Sequence, residues 1–150
     1  MDETAPHVTV ATLVERNGQW LFVEERVGGR RVVNQPAGHW EAGETLMEAA
    51  VRETLEETRW RVQPTALVGI YSYHPPDLPY AFLRFAFLAT AIDHDANRPL
   101  DPAIEEAIWL TPDALAARAA DHRSPMVQRG VDDALAGRRL ALEWLDHLPA

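Results

Sequence analysis

Residues 38–60 constrain the fold of this chain most, because they predict a glycine-containing loop followed by a helix with three carboxylates on one side. At 100° per residue, with Glu53 set to zero, Glu56 falls at about 300° and Glu57 at about 40°. All three acids therefore project within roughly 100° of one another. The residues expected to pack on a core lie on the opposite side of the helix: Met47, Val51, Thr54, Leu55 and Thr58.

The crowded carboxylates predict a binding site for a divalent cation. Like charges three and four residues apart destabilise a helix by about a few tenths of a kcal/mol per pair, and a cation would reverse that sign. Three hard oxygen ligands on a rigid helix suit Mg²⁺, with Mn²⁺ as the alternative, and water and substrate phosphates would complete the coordination. Because many acid-rich helix faces are simply solvated, the case for a site depends on the spacing of the neighbouring residues.

Six residues at fixed spacing resemble the Nudix box, Gly-x5-Glu-x7-Arg-Glu-U-x-Glu-Glu-x-Gly-U with U apolar: Gly38, Glu44, Arg52, Glu53, Glu56 and Glu57. Two positions depart from that motif. Thr54 stands at an apolar position, which its methyl group can tolerate, and Arg59 replaces the glycine that follows the helix. The helix is therefore expected to end without the usual left-handed glycine.

The resemblance implies roles for the residues of the motif. Glu56 and Glu57 are the expected metal ligands, and Glu53 is either a third ligand or the base that takes the proton of the attacking water. The backbone carbonyl of Ala37, just before the box glycine, is expected to complete the coordination. Arg52 is expected to orient the carboxylates through charge-assisted hydrogen bonds.

Three further positions complete the expected site. Glu44 either stabilises the start of the helix or reaches a metal ion through water, and Gly38 permits a tight turn. In this family a further acid usually comes from a downstream strand or loop, and Glu105 and Glu106 are the candidates. Strand neighbours point to opposite sides, so at most one enters the site, and Glu106 is preferred over the alternative of two solvated edge acids.

Stretches outside the box are similar to the NudJ-type subgroup of the family: residues 6–11, 34–39, 82–85 and 123–125. This resemblance implies release of phosphate from nucleoside di- and triphosphates, and from the pyrimidine diphosphate of thiamine biosynthesis. Arg84 could then contact a phosphate, while Tyr71, Tyr73 or Trp40 could stack on a base. A snorkelling arginine and core or surface aromatic residues are the alternatives.

Two other functions remain open. Pro75 and Pro76 lie near the downstream spacing linked with pyrophosphatases of ADP-ribose and nucleoside-diphosphate sugars. The second is a non-catalytic Nudix-fold nucleotide sensor. Such sensors commonly lose box carboxylates, whereas here the acids are intact.

Length, charge and composition limit the class of protein. A chain of 150 residues is expected to form one domain, 1–150, with a real core. The net charge of −9 argues against a nucleic-acid duplex as partner and leaves a small phosphorylated substrate. Without a cysteine, a basic leader or a membrane-length apolar run, the protein is expected in the cytoplasm, away from membranes. Monomer and homodimer both remain open.

The rest of the sequence predicts a mixed β-sheet between helices. Apolar patterning and turn signals, including the hairpin dipeptide Asn17-Gly18, predict strands at 7–15, 19–26, 31–33, 62, 67–73, 80–92 and 104–110. A capping box of Thr45 and Glu48 starts the acid-bearing helix at 46, and it should end near 58. Ser/Thr-Pro pairs predict helices from 112 to about 119 and from 125 to before 137, while 138–148 is ambiguous. This α/β pattern agrees with the α/β/α sandwich of the Nudix fold, which the resemblance implies.

Overall fold

Seven strands and three helices make up residues 2–149, the part of the chain that the computed structural model describes. The strands are β1 (His7–Arg16), β2 (Gln19–Val27), β3 (Arg30–Asn34), β4 (Ala37–His39), β5 (Trp60–Tyr73), β6 (Phe82–His94) and β7 (Ile104–Leu110). The helices are α1 (Leu46–Thr58), α2 (Pro112–Ala117) and α3 (Pro125–Leu135), with 3₁₀ turns at Ala119–Asp121 and Leu142–Trp144. No helix within residues 2–149 has the length and apolar character needed to cross a membrane.

The strands form a mixed sheet with the order β3-β2-β1-β6-β5, in which β1 and β6 are parallel. Strand β1 pairs with β2 at Glu15 and Arg16, and β7 pairs with the other part of β2. Nearer its start, β1 pairs instead with β4, through Thr9 to Ala11. The strands β1 and β2 therefore diverge, and β3 and β4 run from one to the other. The region beside β4, between α1 and β2, is here called the cleft, and the candidate site lies there.

Helices cover both faces of the sheet. On one face, α1 packs over a cluster whose buried members are Val10, Ala49, Ala50, Leu67 and Phe87. On the other face, α2 and α3 enclose a larger cluster that includes Leu13, Phe22, Val33, Leu115, Val127 and Val131. The predicted α/β architecture, with a mixed sheet between helices, is confirmed.

Most predicted elements are confirmed, and the differences have local causes. The predicted strands at 62 and 67–73 are one strand, β5, in which register shifts at Pro64/Ala66 and Leu67/Gly69 interrupt the alternation that sequence patterns rely on. Strand β6 begins at residue 82 rather than 80, and α2 ends at 117 rather than about 119. The ambiguous 138–148 segment contributes a β-bridge from Leu140 to Leu67 and a 3₁₀ turn.

The packing side of α1 differs from the expectation. Thr54 and Thr58 are buried as predicted, whereas Met47, Val51 and Leu55 are only partly buried. The other buried residues of the helix are Ala49, Ala50 and Glu57. The small alanines allow α1 to approach the sheet closely, and Thr54 Oγ1 bonds Thr12 Oγ1 of β1 at 2.8 Å. The carboxylates therefore lie at the edge of the buried face rather than opposite it.

Arg59 ends α1 in the left-handed conformation that the motif glycine would take, with φ 65° and ψ 7°. Its N–H donates to the carbonyl of Leu55 at 3.0 Å, and its Nε donates to the carbonyl of Arg98. In return, the Asp95 N–H donates to the Arg59 carbonyl at 2.8 Å. The missing glycine is thus offset by hydrogen bonds that attach the loop before β7 to the end of the helix.

Candidate active site

The carboxylates of α1 enter the cleft at graded depth. Glu57 is the deepest, with 8% of the residue exposed. The side chains of Glu53 and Glu56 are 13% and 33% exposed. A helix that presents acids at i, i+3 and i+4 along the rim of its buried face produces this gradient. The three residues predicted from their spacing are therefore brought together beside a cleft.

Glu57 is a buried acid held by a backbone donor. Its Oε1 accepts the Ala37 N–H at 2.9 Å. Burial raises the pKa of Glu57 to about 9, because the Ala37 hydrogen bond is outweighed by desolvation and by the nearby carboxylates of Glu53, Glu25 and Asp101. Burial likewise raises the pKa of Glu53. Acids in this state gain most from a nearby cation, which would favour their charged form.

The carbonyl of Ala37 faces the same way as its N–H. The Thr12 N–H donates to the Pro36 carbonyl and the Trp40 N–H to the Val8 carbonyl, so the even-numbered residues of β4 bond β1. In an antiparallel ladder the intervening residue turns both backbone groups away from that partner. Ala37 therefore directs its carbonyl toward the side on which Glu57 lies, and its contact with a metal ion stays a prediction.

Gly38 allows Glu53 to approach the strand closely and does not form a tight turn, so that expectation is wrong. It lies within β4, opposite Val10 of β1, and is absent from the positive-φ residues of the chain. A Cβ at this position would overlap the carboxyl group of Glu53. The missing side chain makes room for Glu53 against the strand.

Arg52 connects the acids of the loop and the helix. Its Nε and Nη2 donate to the two oxygens of Glu44 at 3.0 and 2.7 Å, and its Nη1 donates to Glu53 Oε1 at 2.8 Å. Nη1 also lies 3.5 Å from Glu56 Oε2, and Nη2 donates to the His39 carbonyl at 3.1 Å. The bidentate bond with Arg52 lowers the pKa of Glu44. Glu44 therefore contacts the site through Arg52, and Arg52 has the contacts expected of an orienting residue.

The downstream acid that contacts α1 in the structure is neither of the two that were predicted. Glu105 pairs with Arg26 and Arg31. Glu106 is exposed, opposite Glu24 in the β2–β7 ladder, and lines a separate open depression of about 600 Å³ with Trp60 and Trp109. Within residues 2–149 no hydrogen bond joins Glu106 to the helix carboxylates, and its place in the site stays a prediction.

Asp101 is the acid that sequence reasoning missed. Its N–H donates to the Glu56 carbonyl at 2.9 Å, and its charge contributes to the raised pKa of both Glu53 and Glu57. It belongs to the loop that Arg59 attaches to the end of α1. The only signal in the sequence was an aspartate in a polar loop, which does not reveal where the loop packs.

Arg84, on β6, is a buried cation held against the end of β3 and the residue that follows it. The residue is 6% exposed, and its Nη1 and Nη2 donate to Gln35 Oε1 and Asn34 Oδ1, both at 3.2 Å. Its Nε has no hydrogen-bond partner within residues 2–149. Burial lowers the pKa of Arg84 to about 10, although the charges of Glu57 and Glu25 oppose that shift.

The predicted aromatic residues have different surroundings. The Tyr71 hydroxyl donates to Asp133 of α3 at 2.7 Å, and Trp40 Nε1 donates to the Glu44 carbonyl at 2.7 Å. Tyr73 is half-buried. Tyr71 is in register with Arg84, and Tyr73 comes two residues after Tyr71 on β5, so Tyr73 lies on the same face of the sheet as Arg84. The stacking role predicted for Tyr73 stays a prediction.

A histidine pair on this face was also missed. His39 and Arg84 are both in register with Thr9, which places them on one face of the sheet. His39 Nε2 lies 3.0 Å from His7 Nδ1, and the His7 ring stacks on Tyr80 with centroids 3.7 Å apart. The cluster joins three distant segments, so spacing along the chain could not indicate it.

Comparison with known proteins gives consistent matches over most of the chain. The NUDIX domain family model matches residues 4–130. Proteins named Phosphatase NudJ from Shigella boydii and Escherichia coli are 39% identical over 140 residues, covering 93% of this chain and 90% of theirs.

Solved structures show the same similarity. A NUDIX hydrolase from Nitrosomonas europaea superimposes with a TM-score of 0.93 at 39% identity, covering 95% of this chain and 97% of that one. An ADP-ribose pyrophosphatase from Streptococcus suis has a TM-score of 0.66 at 14% identity, over 89% of this chain and 92% of that one, which is similarity of fold.

Proposed function

The chain belongs to the Nudix family and is a hydrolase of phosphoanhydrides, and from this premise we propose that it releases phosphate from nucleoside di- and triphosphates with Mg²⁺ bound at α1. The pyrimidine diphosphate of thiamine biosynthesis is proposed as a further substrate. The observation that carries the proposal is the set of carboxylates gathered on α1, with the buried cation Arg84 near enough for the charge of Glu57 to act on it. The relatives named Phosphatase NudJ support phosphate release.

The donor set of α1 fits a divalent cation. Within residues 2–149 no three acidic or histidine side chains are already arranged as a metal-binding group, since Glu53 and Glu56 face Arg52 while Glu57 faces Ala37. Hard carboxylate and carbonyl oxygens are nevertheless the ligands that Mg²⁺ and Mn²⁺ prefer. Those residues would hold the ion: Glu53, Glu56, Glu57 and the Ala37 carbonyl, with Asp101 as the proposed downstream acid. The bound ion would acidify a water molecule and neutralise phosphoryl charge.

The protein's own groups supply position and proton transfer. Glu53, with its raised pKa and its bond to Arg52, is suited either to accept the proton of the attacking water or to act as a ligand. Arg52 keeps the acids in place, and Glu44 keeps Arg52 in place. Across the cleft, Arg84 would bind a phosphate oxygen and Tyr73 would stack on the base.

The orienting role of Arg52 predicts that Arg52→Lys lowers kcat about tenfold, in the range of residues that orient metal ligands. Lysine keeps the charge but cannot bond Glu44 in bidentate fashion while it also reaches Glu53. Steady-state phosphate release at saturating Mg²⁺ would measure the effect, with Arg139→Lys as the control. A kcat equal to that of the parent protein would remove Arg52 from the site.

A phosphate-release screen with and without Mg²⁺ tests the proposed function. Its substrates are nucleoside di- and triphosphates, the thiamine pyrimidine diphosphate, ADP-ribose and nucleoside-diphosphate sugars. We expect metal-dependent release of phosphate from the first two groups. Preferential cleavage of ADP-ribose or sugar nucleotides would replace the proposal with a pyrophosphatase. Nucleotide binding without any hydrolysis would indicate a sensor.

A further inference from the structure

Arg84 is a buried cation without a carboxylate partner. Its two hydrogen bonds go to neutral amide oxygens, and no ion pair within 4.0 Å reaches it from residues 2–149. One of its nitrogens, Nε, has no partner in the same part of the chain. A buried charge is costly unless it is paired, so a guanidinium in this state would gain from an anion bound beside it.

A second arginine is anchored next to a residue that Arg84 contacts. Arg123 precedes α3, and its N–H donates to the Val33 carbonyl at 2.8 Å, next to Asn34, which accepts from Arg84. Its side chain is 42% exposed, and its nearest carboxylate, Glu25, lies 3.8 Å from Nε. The charge of Arg123 contributes to the lowered pKa of Arg84. The two arginines are therefore anchored on neighbouring segments, and Arg123 faces one weakly paired acid, Glu25.

We propose that Arg123 and Arg84 together bind a phosphate group of the substrate that the metal site on α1 does not hold. This inference rests on the proposed function and deepens it, because it names the residues that would hold a second phosphate of the substrate. Two planar guanidinium groups match the oxygens of a phosphate, and the phosphate dianion would supply the negative charge that pairs with Arg84.

The position of this phosphate subsite follows from the acids that surround it. Glu25 contributes to the pKa shifts of both Glu57 and Arg84, and it is the acid nearest Arg123. Glu25 is therefore near enough for its charge to act on Glu57 of α1 and on Arg84, and it lies 3.8 Å from Arg123. A chain of linked phosphates that runs from α1 to Arg84 passes Glu25, whose charge would oppose it.

Binding of inorganic tripolyphosphate in EDTA tests the subsite without any need for hydrolysis. Calorimetry on the full chain should show that Arg123→Gln weakens binding about tenfold, as expected for loss of a charge-assisted hydrogen bond, and that Arg123→Lys weakens it less. Arg61→Gln is the matched control. Its side chain is 49% exposed, it lies 3.4 Å from Asp93, and it is about 30 Å along β5 from the Arg84 row.

Removal of Glu25 should act in the opposite direction. Glu25→Gln leaves Arg123 without its competing acid, so tripolyphosphate should bind about threefold or more tightly, in keeping with a partly exposed ion pair. A residue that only supported the fold would not strengthen anion binding when it is neutralised. Thermal unfolding without ligand would verify that each variant is folded.

The outcomes separate this inference from the proposed function. If Arg123→Gln binds tripolyphosphate as well as Arg61→Gln does, the subsite is wrong, even if hydrolysis proceeds normally. If tripolyphosphate binding depends on Arg123 and Glu25 as expected while no nucleotide is hydrolysed, the subsite stands and the proposed function fails. If Arg84→Lys binds tripolyphosphate as tightly as the parent protein does, the phosphate-binding role of Arg84 is wrong.

Discussion

Glu57→Gln should lower kcat by about 10³-fold, equivalent to about 4 kcal/mol of transition-state stabilisation. Glutamine has nearly the same shape and can still accept the Ala37 N–H, but it removes the charge of the most buried acid on α1. Steady-state phosphate release at saturating Mg²⁺ measures the loss. The exposed acid Glu143 provides a control, since Glu143→Gln should keep the parental rate. A Glu57→Gln rate within a few-fold of the parent would contradict the metal-ligand role.

The same variant makes a prediction about stability. In the metal-free protein the folded pKa of Glu57 is raised from 4.5 to about 9, so its charged form is disfavoured in the folded state. The contribution of Glu57 to the free energy of unfolding is therefore fully present below pH 4.5, and it is lost as the pH rises toward 9. In EDTA, the Tm of Glu57→Gln should rise relative to the parent between pH 5 and pH 8. Thermal unfolding at both pH values checks this sign. A Tm of the variant that falls further below that of the parent as the pH rises would contradict it.

Gly38→Ala should lower kcat by about 10²-fold, the effect of displacing a reacting group by about 1 Å. The new Cβ would overlap the Glu53 carboxyl group, whereas the backbone of β4 at this position is one that alanine can adopt. The fold should therefore survive, as thermal unfolding would show, while Glu53 is pushed away from the strand. Phosphate release at saturating Mg²⁺ measures the effect.

A double variant separates steric displacement from general damage to β4. Glu53→Asp shortens the side chain that meets the new Cβ. Gly38→Ala should therefore lower kcat by a smaller factor in the Glu53→Asp protein than in the parent protein. Additive losses in the two variants would show that the overlap with Glu53 is not the cause. A fully active Gly38→Ala protein would show that Glu53 does not need this position.

The part of the site that follows helical geometry could be predicted from the sequence. Glu53, Glu56 and Glu57 lie together because the helical period places them there, and the capping box of Thr45 and Glu48 fixed where that period begins. The side of α1 that is buried could not be predicted from hydrophobicity, because Ala49 and Ala50 pack closely by being small. The α/β class followed from the order of strands and helices.

The residues that could not be predicted lie where distant segments meet. Asp101 reaches α1 because Arg59 adopts a left-handed conformation and bonds the loop, a departure from the motif that indicated only an uncertain helix end. Arg123 is anchored next to Asn34, which accepts a hydrogen bond from Arg84, because its backbone bonds Val33, some 90 residues earlier. Gly38 was predicted as important, but only the position of Glu53 reveals why.

Strand β1 is shared by both halves of the cleft. It pairs with β4, which carries Ala37 and Gly38, and with β6, which carries Arg84. The two ends of a bound phosphate chain would therefore rest on neighbours of a single strand, whose hydrogen bonds set their separation. Selection by the number of phosphates would then come from a length built into the sheet, rather than from closure of one part of the protein on another.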